Sequence, residues 1–296
     1  MKFEELANSW YTEKLPYVRV ATEKNYKGIK NTLIKHFGEM ETADISVERI
    51  QDFINGAREK NTKETLVSRK KILNQIFSFA EEIGEVEHNP VPKIKIPKCK
   101  NSKEIRIVTL GELEKLMDLE IPQYKKDIIQ IGFRTGMRIG EILALRWEDI
   151  NFDEKYLIVN RTLSVYNGGK PYINAPKTQT SYRAIDLDSI LIETLRRRHQ
   201  DQSPRSGFVF VKKNGKIYSR QAIGFRKLCI QAGIPPRGFH SLRHTHVSYI
   251  LSHKINPDVA QKRAGHASPD ITLRIYNHVL PGMQREVTKL MESIPY

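Results

Sequence analysis

The chain is poor in cysteine. Among its 296 residues only Cys99 and Cys229 are cysteines, far apart and in no metal-ligand spacing. That pair argues against a disulfide framework or a zinc site, and it fits a reducing cytoplasm. Long apolar runs are missing as well. No stretch approaches the ~20 residues that a bilayer span requires, and the opening MKFEELANSWYTEK has no apolar core of a secretory signal. These absences predict a soluble intracellular protein. No fixed-period repeat or low-complexity tract interrupts the sequence. Acid is the minority charge: 34 aspartates and glutamates face 49 lysines and arginines, a net of +15. A polyanionic partner is the leading explanation, because basic side chains that neutralise phosphates release condensed counterions.

What is present is helical pattern first. Phe3, Leu6 and Trp10 recur at helical spacing, as do Tyr26, Ile29 and Leu33. Ser46 stands where an N-cap belongs, with Arg49 where a capping box would want glutamate, and Ile50, Phe53 and Ile54 form the apolar face behind it. Leu66, Leu73, Ile76, Phe77, Ala80 and Ile83 stripe a further helix, which Gly84 stops. Residues 1–88 thus read as a helical bundle, with Lys27, Lys30, Lys35, Arg69, Lys70 and Lys71 on the opposite faces. In the segment HNPVPKIKIPKCKNSKE, Pro90, Pro92 and Pro97 forbid a continuous helix, and lysines alternate with apolar or proline residues. Residues 89–103 therefore read as an extended basic linker, able to lie along a duplex backbone.

Residues 104–296 read as a second domain. Thr109 caps a helix and Glu112 completes its capping box. Helical patterns follow over Gln123 to Thr135 and Arg138 to Trp147. The stretch KYLIVNRTLSVYNGGKPYINAPKTQTSYRAIDL then alternates apolar and polar residues around Asn167-Gly168-Gly169, which predicts antiparallel strands. Helices resume at Ser189, interrupted by a short apolar strand at Phe208–Val211. Near the end Val287, Leu290 and Met291 form a narrow apolar stripe, fit to pack on its own domain or on a neighbouring protomer. The fold class is mainly α with a small antiparallel β-meander (α+β).

The chemistry sits in five short segments: TGMRIGEILAL, APKTQTSYRAIDL, HSLRHTH, AGH and TLRIYNHV. They contribute Arg138, Lys177, His240 with Arg243, His266 and Tyr276. Two guanidiniums bind non-bridging phosphate oxygens bidentately and stabilise charge in a transition state, the role open to Arg138 and Arg243. Arg138 follows the small-residue turn Thr135-Gly136-Met137 where a helix begins, and helix amides there favour an anion. Glu141, three residues on, shares its face. It is either a simple pair partner or a carboxylate that orients the arginine or a catalytic histidine. Lys177, on or beside a hairpin turn, suits either a general acid or edge protection. His240 and Arg243 lie one turn apart and face the same way, whereas His244 and His246 point elsewhere as packing or surface groups. The histidine density of HSLRHTH lacks a nearby carboxylate or cysteine, which argues against a metal. His266 follows Gly265 at a helix junction, and Ser268-Pro269 opens the next helix. Tyr276 lies among Ile271, Leu273 and Ile275, either as a core tyrosine or as a nucleophile whose pKa of ~10 calls for a cationic surround.

In order and rough separation these segments resemble the tyrosine site-specific recombinases, the phage integrase family, from about Lys103 to Leu290. The amino-terminal helices resemble that family's SAM-like core-binding domain. The resemblance implies a core-binding bundle followed by a tyrosine-recombinase catalytic domain. Its motifs give Arg138 and Arg243 the phosphate, Lys177 the general acid, His240 the first histidine, His266 the position that is histidine or tryptophan, and Tyr276 the nucleophile. AGH stands where the family more often has LGH. The implied activity is DNA cutting and rejoining through a 3′-phosphotyrosyl link, to integrate or excise a mobile element without metal or other cofactor. Implied partners are double-stranded DNA at attachment or core sites, three further copies in a homotetramer on paired sites, and an accessory excisionase or DNA-bending protein. Off DNA the chain is expected as a monomer or weak oligomer. A chromosome-dimer-resolving recombinase would share every one of these residues. A non-catalytic sequence-specific DNA-binding protein would not need the complete set. A type IB topoisomerase uses similar chemistry but has further domains that encircle DNA.

Overall fold

The apolar spacing of the first 84 residues closes into four helices: α1 (Phe3–Lys14), α2 (Val20–Phe37), α3 (Val47–Gly56) and α4 (Lys63–Glu82). They are seen in a computed structural model that describes residues 1–18, 20–99, 107–164, 172–175, 181–202 and 206–266. The chain divides into two units, Met1–Glu104 and Ile105–Tyr296. In the first unit, Ser46 caps α3 by accepting from the Arg49 N–H at 3.4 Å, and Thr62 caps α4 by accepting from that of Thr65. Phe3, Leu6, Trp10, Leu33, Phe37, Ile50, Ile54, Leu73 and Phe77 are wholly buried between the helices. Each such side chain contributes ~1.5–3 kcal/mol through the water it sheds.

The proline-rich stretch belongs to this core as far as the structure follows it. A single 3-10 turn, Val91–Lys93, precedes extended chain. Val91 and Ile94 are buried against the bundle, and Gln51 exchanges two 2.9 Å hydrogen bonds with the backbone of Lys95. Residues 100–106, which include the rest of the expected linker to 103, lie outside the described residues.

The second unit begins with α5 (Leu110–Asp118), α6 (Gln123–Thr135) and α7 (Ile139–Leu143). The Thr109–Glu112 capping box forms at the start of α5. Among the described residues five short strands follow, β1 (Ile150–Asn151), β2 (Tyr156–Val159), β3 (Thr162–Leu163), β4 (Ile173–Asn174) and β5 (Arg183–Asp186). All pair antiparallel, as one sheet in the order β1-β2-β5 and a separate hairpin β3-β4. Then come α8 (Ser189–Asp201), α9 (Arg220–Ile223), α10 (Phe225–Gln231), α11 (His240–Ser252) and α12 (Pro257–Ala264). The chain is mainly α with a small antiparallel β component, as expected. No helix among the described residues is long and apolar enough to cross a membrane.

Two elements differ from the sequence pattern. The helix expected over Arg138 to Trp147 stops at Leu143, because the backbone of Leu145 and Trp147 turns to bond with Val209 and Gly207 instead. The strand expected at Phe208–Val211 reduces to two isolated bridges, Arg146 with Phe208 and Val211 with Ile217. Its residues find different partners on either side, so no continuous ladder forms. The turn Asn167-Gly168-Gly169 and the stripe Val287, Leu290 and Met291 lie outside the described residues.

Candidate active site

Gly136 ends α6 in the left-handed region, φ 66°, a conformation glycine adopts without a Cβ penalty. The chain there reverses into Arg138, the N-cap of α7 rather than its first turn. Glu141, at the third helical position, accepts from the Arg138 backbone N–H at 3.0 Å and from its Nη1 at 2.8 Å. Arg138 Nη2 donates to the Gly265 carbonyl at 3.0 Å. Its side chain is 38% exposed, so the guanidinium is fixed on one edge and open on the other.

Glu141 is buried, and its second oxygen accepts from Arg183 Nη2 at 3.0 Å. Burial alone would raise its pKa, but the charges of Arg183 and Arg138 and their hydrogen bonds outweigh that and hold the carboxyl below its usual value. Among the described residues its side-chain bonds go to two arginines, Arg138 and Arg183. Deleting one partner of such a buried pair typically costs ~3–5 kcal/mol, since the other charge is stranded.

Arg243 lies one turn into α11 and is 1% exposed. Its Nη1 donates to the Gly136 carbonyl at 2.9 Å and its Nε to His266 Nε2 at 3.2 Å. Its Nη2 is buried with no hydrogen-bond partner among the described residues. Burial, then the charge of Arg138, lowers its pKa to about 9, so it remains cationic at neutral pH. His266 is buried and drawn down to about 3, by burial first and then by Arg243 and Arg138. A neutral ring whose Nε2 accepts from a guanidinium carries its proton on Nδ1.

His240, at the start of α11, keeps an exposed face, and its ring meets that of His244 edge-on at 4.5 Å. The loss of water around it, then His244, Arg243 and Arg138, lowers its pKa to about 4. His246 is buried beneath the Gly136 turn, its Nδ1 2.7 Å from the Phe133 carbonyl oxygen. Among the described residues no cluster of three histidines, cysteines or carboxylates is arranged to hold a metal ion.

The structure thus forms two hydrogen-bonded pairs, Arg138 with Glu141 and Arg243 with His266, tied together through the Gly265 and Gly136 carbonyls, with His240 at the edge. Lys177 and Tyr276 lie outside the described residues. One member was missed in the sequence. Arg183 on β5 donates to the Arg263 carbonyl at 2.7 Å, the Ser181 carbonyl at 3.2 Å and Glu141. A signal existed: in SYRAIDL, Arg183 alternates in register with Ile185 and Leu187, and a cation on the inward face of a strand demands a buried partner.

Known proteins carry the same organisation. A model of the phage integrase family matches residues 96–283, and one of the phage integrase N-terminal SAM-like domain matches residues 2–57. A protein named tyrosine recombinase XerC-like from Caldanaerobacter subterraneus subsp. tengcongensis is 27% identical, covering 98% of this chain and 82% of that protein. The integrase of Staphylococcus phage L54a is 26% identical, covering 100% of this chain and 94% of its own. Among solved structures, a Tn1549 transposon integrase in complex with a circular intermediate DNA shares the fold at a TM-score of 0.84 with 20% identity, over 98% of this chain and 99% of that one. A lambda integrase tetramer bound to a Holliday junction reaches 0.70 with 17% identity, over 91% of this chain and 78% of that one.

Proposed function

The chain belongs to the phage integrase family, and on that footing we propose that it is a site-specific tyrosine recombinase, an integrase that inserts or excises a mobile element. It works in the cytoplasm on double-stranded DNA at attachment or core sites. Residues 1–88 serve as the core-binding domain, 89–103 as the basic linker and 104–296 as the catalytic domain. The Tyr276 oxygen attacks the scissile phosphorus, the bond to the 5′ oxygen breaks, and a 3′-phosphotyrosyl link forms. Lys177 gives its proton to the departing 5′ oxygen. The 5′-hydroxyl of a partner duplex then attacks the same phosphorus and releases the tyrosine. One phosphoester replaces another at each step, so the exchange conserves bond energy.

Arg138 and Arg243 hold the non-bridging oxygens and stabilise the charge that builds on them. His266 accepts from Arg243 Nε and the Gly136 carbonyl from Nη1, which leaves Nη2 for the phosphate. His240, neutral at pH 7, contributes hydrogen bonding rather than charge. Four protomers act on two paired duplexes, with an excisionase or DNA-bending protein as an accessory. The relatives named as integrases support this reading.

The single observation that carries it is Arg243 Nη2. A buried donor without an acceptor costs ~1–3 kcal/mol, and here, among the described residues, it sits on a 1% exposed arginine near enough to Arg138 to feel its charge. A phosphate oxygen supplies the acceptor. The test is to incubate the protein with a nicked suicide duplex carrying the joined ends of its host element. A protein–DNA adduct with a free 5′-hydroxyl on the released strand is expected. Tight binding without any adduct would support the non-catalytic DNA-binding alternative.

A further inference from the structure

Arg183 enters none of the steps above, yet all its hydrogen bonds fall on the parts that build the site. It takes the inward register of β5, is 8% exposed, and donates to Glu141, Arg263 and Ser181. It also fills the space beside Gly265. A Cβ on that glycine would lie 2.9 Å from Arg183 Nη1 and 3.2 Å from its Cδ, and φ there is +67°. Side chains larger than glycine would therefore push Arg183 away from the turn that delivers His266. The Ser181 bond fastens the chain four residues after Lys177.

We propose that Arg183 is a positioning residue for strand cleavage. It offsets the charge of Glu141, so that Arg138 presents an uncancelled cation to the scissile phosphate, and it seats the Gly265–His266 turn against Arg243. The proposal rests on the recombinase reading. Glu141 is one carboxylate shared by two guanidiniums, with oxygens 2.8 Å from Arg138 and 3.0 Å from Arg183. Without Arg183 the whole of that negative charge falls on Arg138, the partner with an open edge. All three guanidinium nitrogens of Arg183 already donate to protein acceptors, so its effect must pass through Arg138 and His266.

The test uses the full chain and two nicked suicide duplexes carrying the joined ends of the host element. One has an ordinary scissile phosphodiester, the other an uncharged methylphosphonate at that position. Arg183→Met should bind both like wild type but cleave the phosphodiester about 100-fold more slowly, the loss typical of removing one transition-state charge contact. On the methylphosphonate the deficit should shrink by roughly tenfold, because a neutral phosphorus centre asks less of the arginines. A merely structural defect would slow both substrates alike. A deficit of equal size on the two, or no deficit on either, overturns the proposal. If Arg183→Met is too unstable to assay, Arg183→Lys is compared in the same way. It keeps the charge but cannot span three acceptors, so a smaller deficit that the methylphosphonate again narrows is expected, and an equal one contradicts the idea. Failure of the wild-type protein to form an adduct on either duplex overturns the recombinase reading as well. Wild-type cleavage matched by Arg183→Met removes only the role of Arg183.

Discussion

Arg138 and Arg243 are both arginines in short motifs, yet the structure gives them different settings. Arg243 is buried among carbonyl and imidazole acceptors, while Arg138 is pinned by Glu141 and open on one edge. Lys177, in the role proposed for it, differs from both in moving a proton. Lys177→Ala should therefore slow cleavage of an ordinary duplex but recover most of the loss on a 5′-bridging phosphorothiolate, since sulfur leaves without protonation. Arg138→Ala should show no such recovery, its task being charge stabilisation. Equal, unrescued defects in single-turnover cleavage would take the acid role from Lys177. The buried histidines make a second prediction. His246 and His266 titrate near 3 in the folded chain, because burial and neighbouring arginines disfavour the imidazolium, against an ordinary value of 6.5. The unfolded chain therefore binds protons first as pH falls. The stability these groups provide is complete above about 6.5 and is lost on going down towards 3. The melting temperature should drop between pH 6.5 and 4, and His246→Asn, whose amide nitrogen can still reach the Phe133 carbonyl, should flatten that slope. An unchanged slope would mean that His246 is not held neutral. The sequence made the motif residues legible because each is a reactive type in an ordered series. It did not reveal which hydrogen bonds each makes, since Glu141 meets Arg183 across 42 residues and Arg138 meets Gly265 across 127.

Element boundaries near the site follow backbone demand more than side-chain periodicity. The run Ile142-Leu143-Ala144-Leu145 is buried throughout, which one face of a helix cannot satisfy, and the chain leaves the helix after Leu143 to pair with 207–209. Caps, by contrast, were legible, because Ser46 and the Thr109–Glu112 box act within three residues of themselves. The departure AGH has a packing sense: Ala264 is wholly buried in a small cluster with Val247, Leu251 and Ala260, where α12 meets α11. The hairpin β3-β4 is held close to α7 through Gly140. A Cβ there would lie 2.6 Å from the Leu163 carbonyl oxygen and 2.7 Å from Thr162 Oγ1, and would collide with Arg220, which donates to that same carbonyl. Gly140→Ala should thus destabilise the chain by ~1–3 kcal/mol, the usual cost of overpacking. It should also slow cleavage more than it weakens DNA binding, because β3 would move relative to the helix of Arg138 and Glu141. A variant with wild-type melting and cleavage would show that β3 and α7 are not tightly coupled.

At the scale of the molecule, the +15 charge and the two units fit a protein that grips a duplex before it cuts. In the proposed reaction paired sites bring several protomers together, and the apolar stripe Val287, Leu290 and Met291 is the segment expected to pack either on its own domain or on a neighbouring copy. Removing residues 283–296 should leave binding to a single site nearly intact while abolishing cooperative binding to paired sites. Cooperative complexes formed by the shortened chain would place that stripe within its own protomer's fold. The family was legible from motif order, whereas the arrangement of protomers was not, because a stripe of three residues fits a cis or a trans surface equally well. The most direct test of the account is Tyr276→Phe on a nicked suicide duplex, with wild type alongside. Loss of one oxygen leaves Arg138, Arg243 and the basic surface in place, so the account predicts wild-type DNA affinity and no covalent adduct. An adduct formed by Tyr276→Phe, mapped by peptide mass to Tyr182, Tyr249 or any other residue, would contradict it.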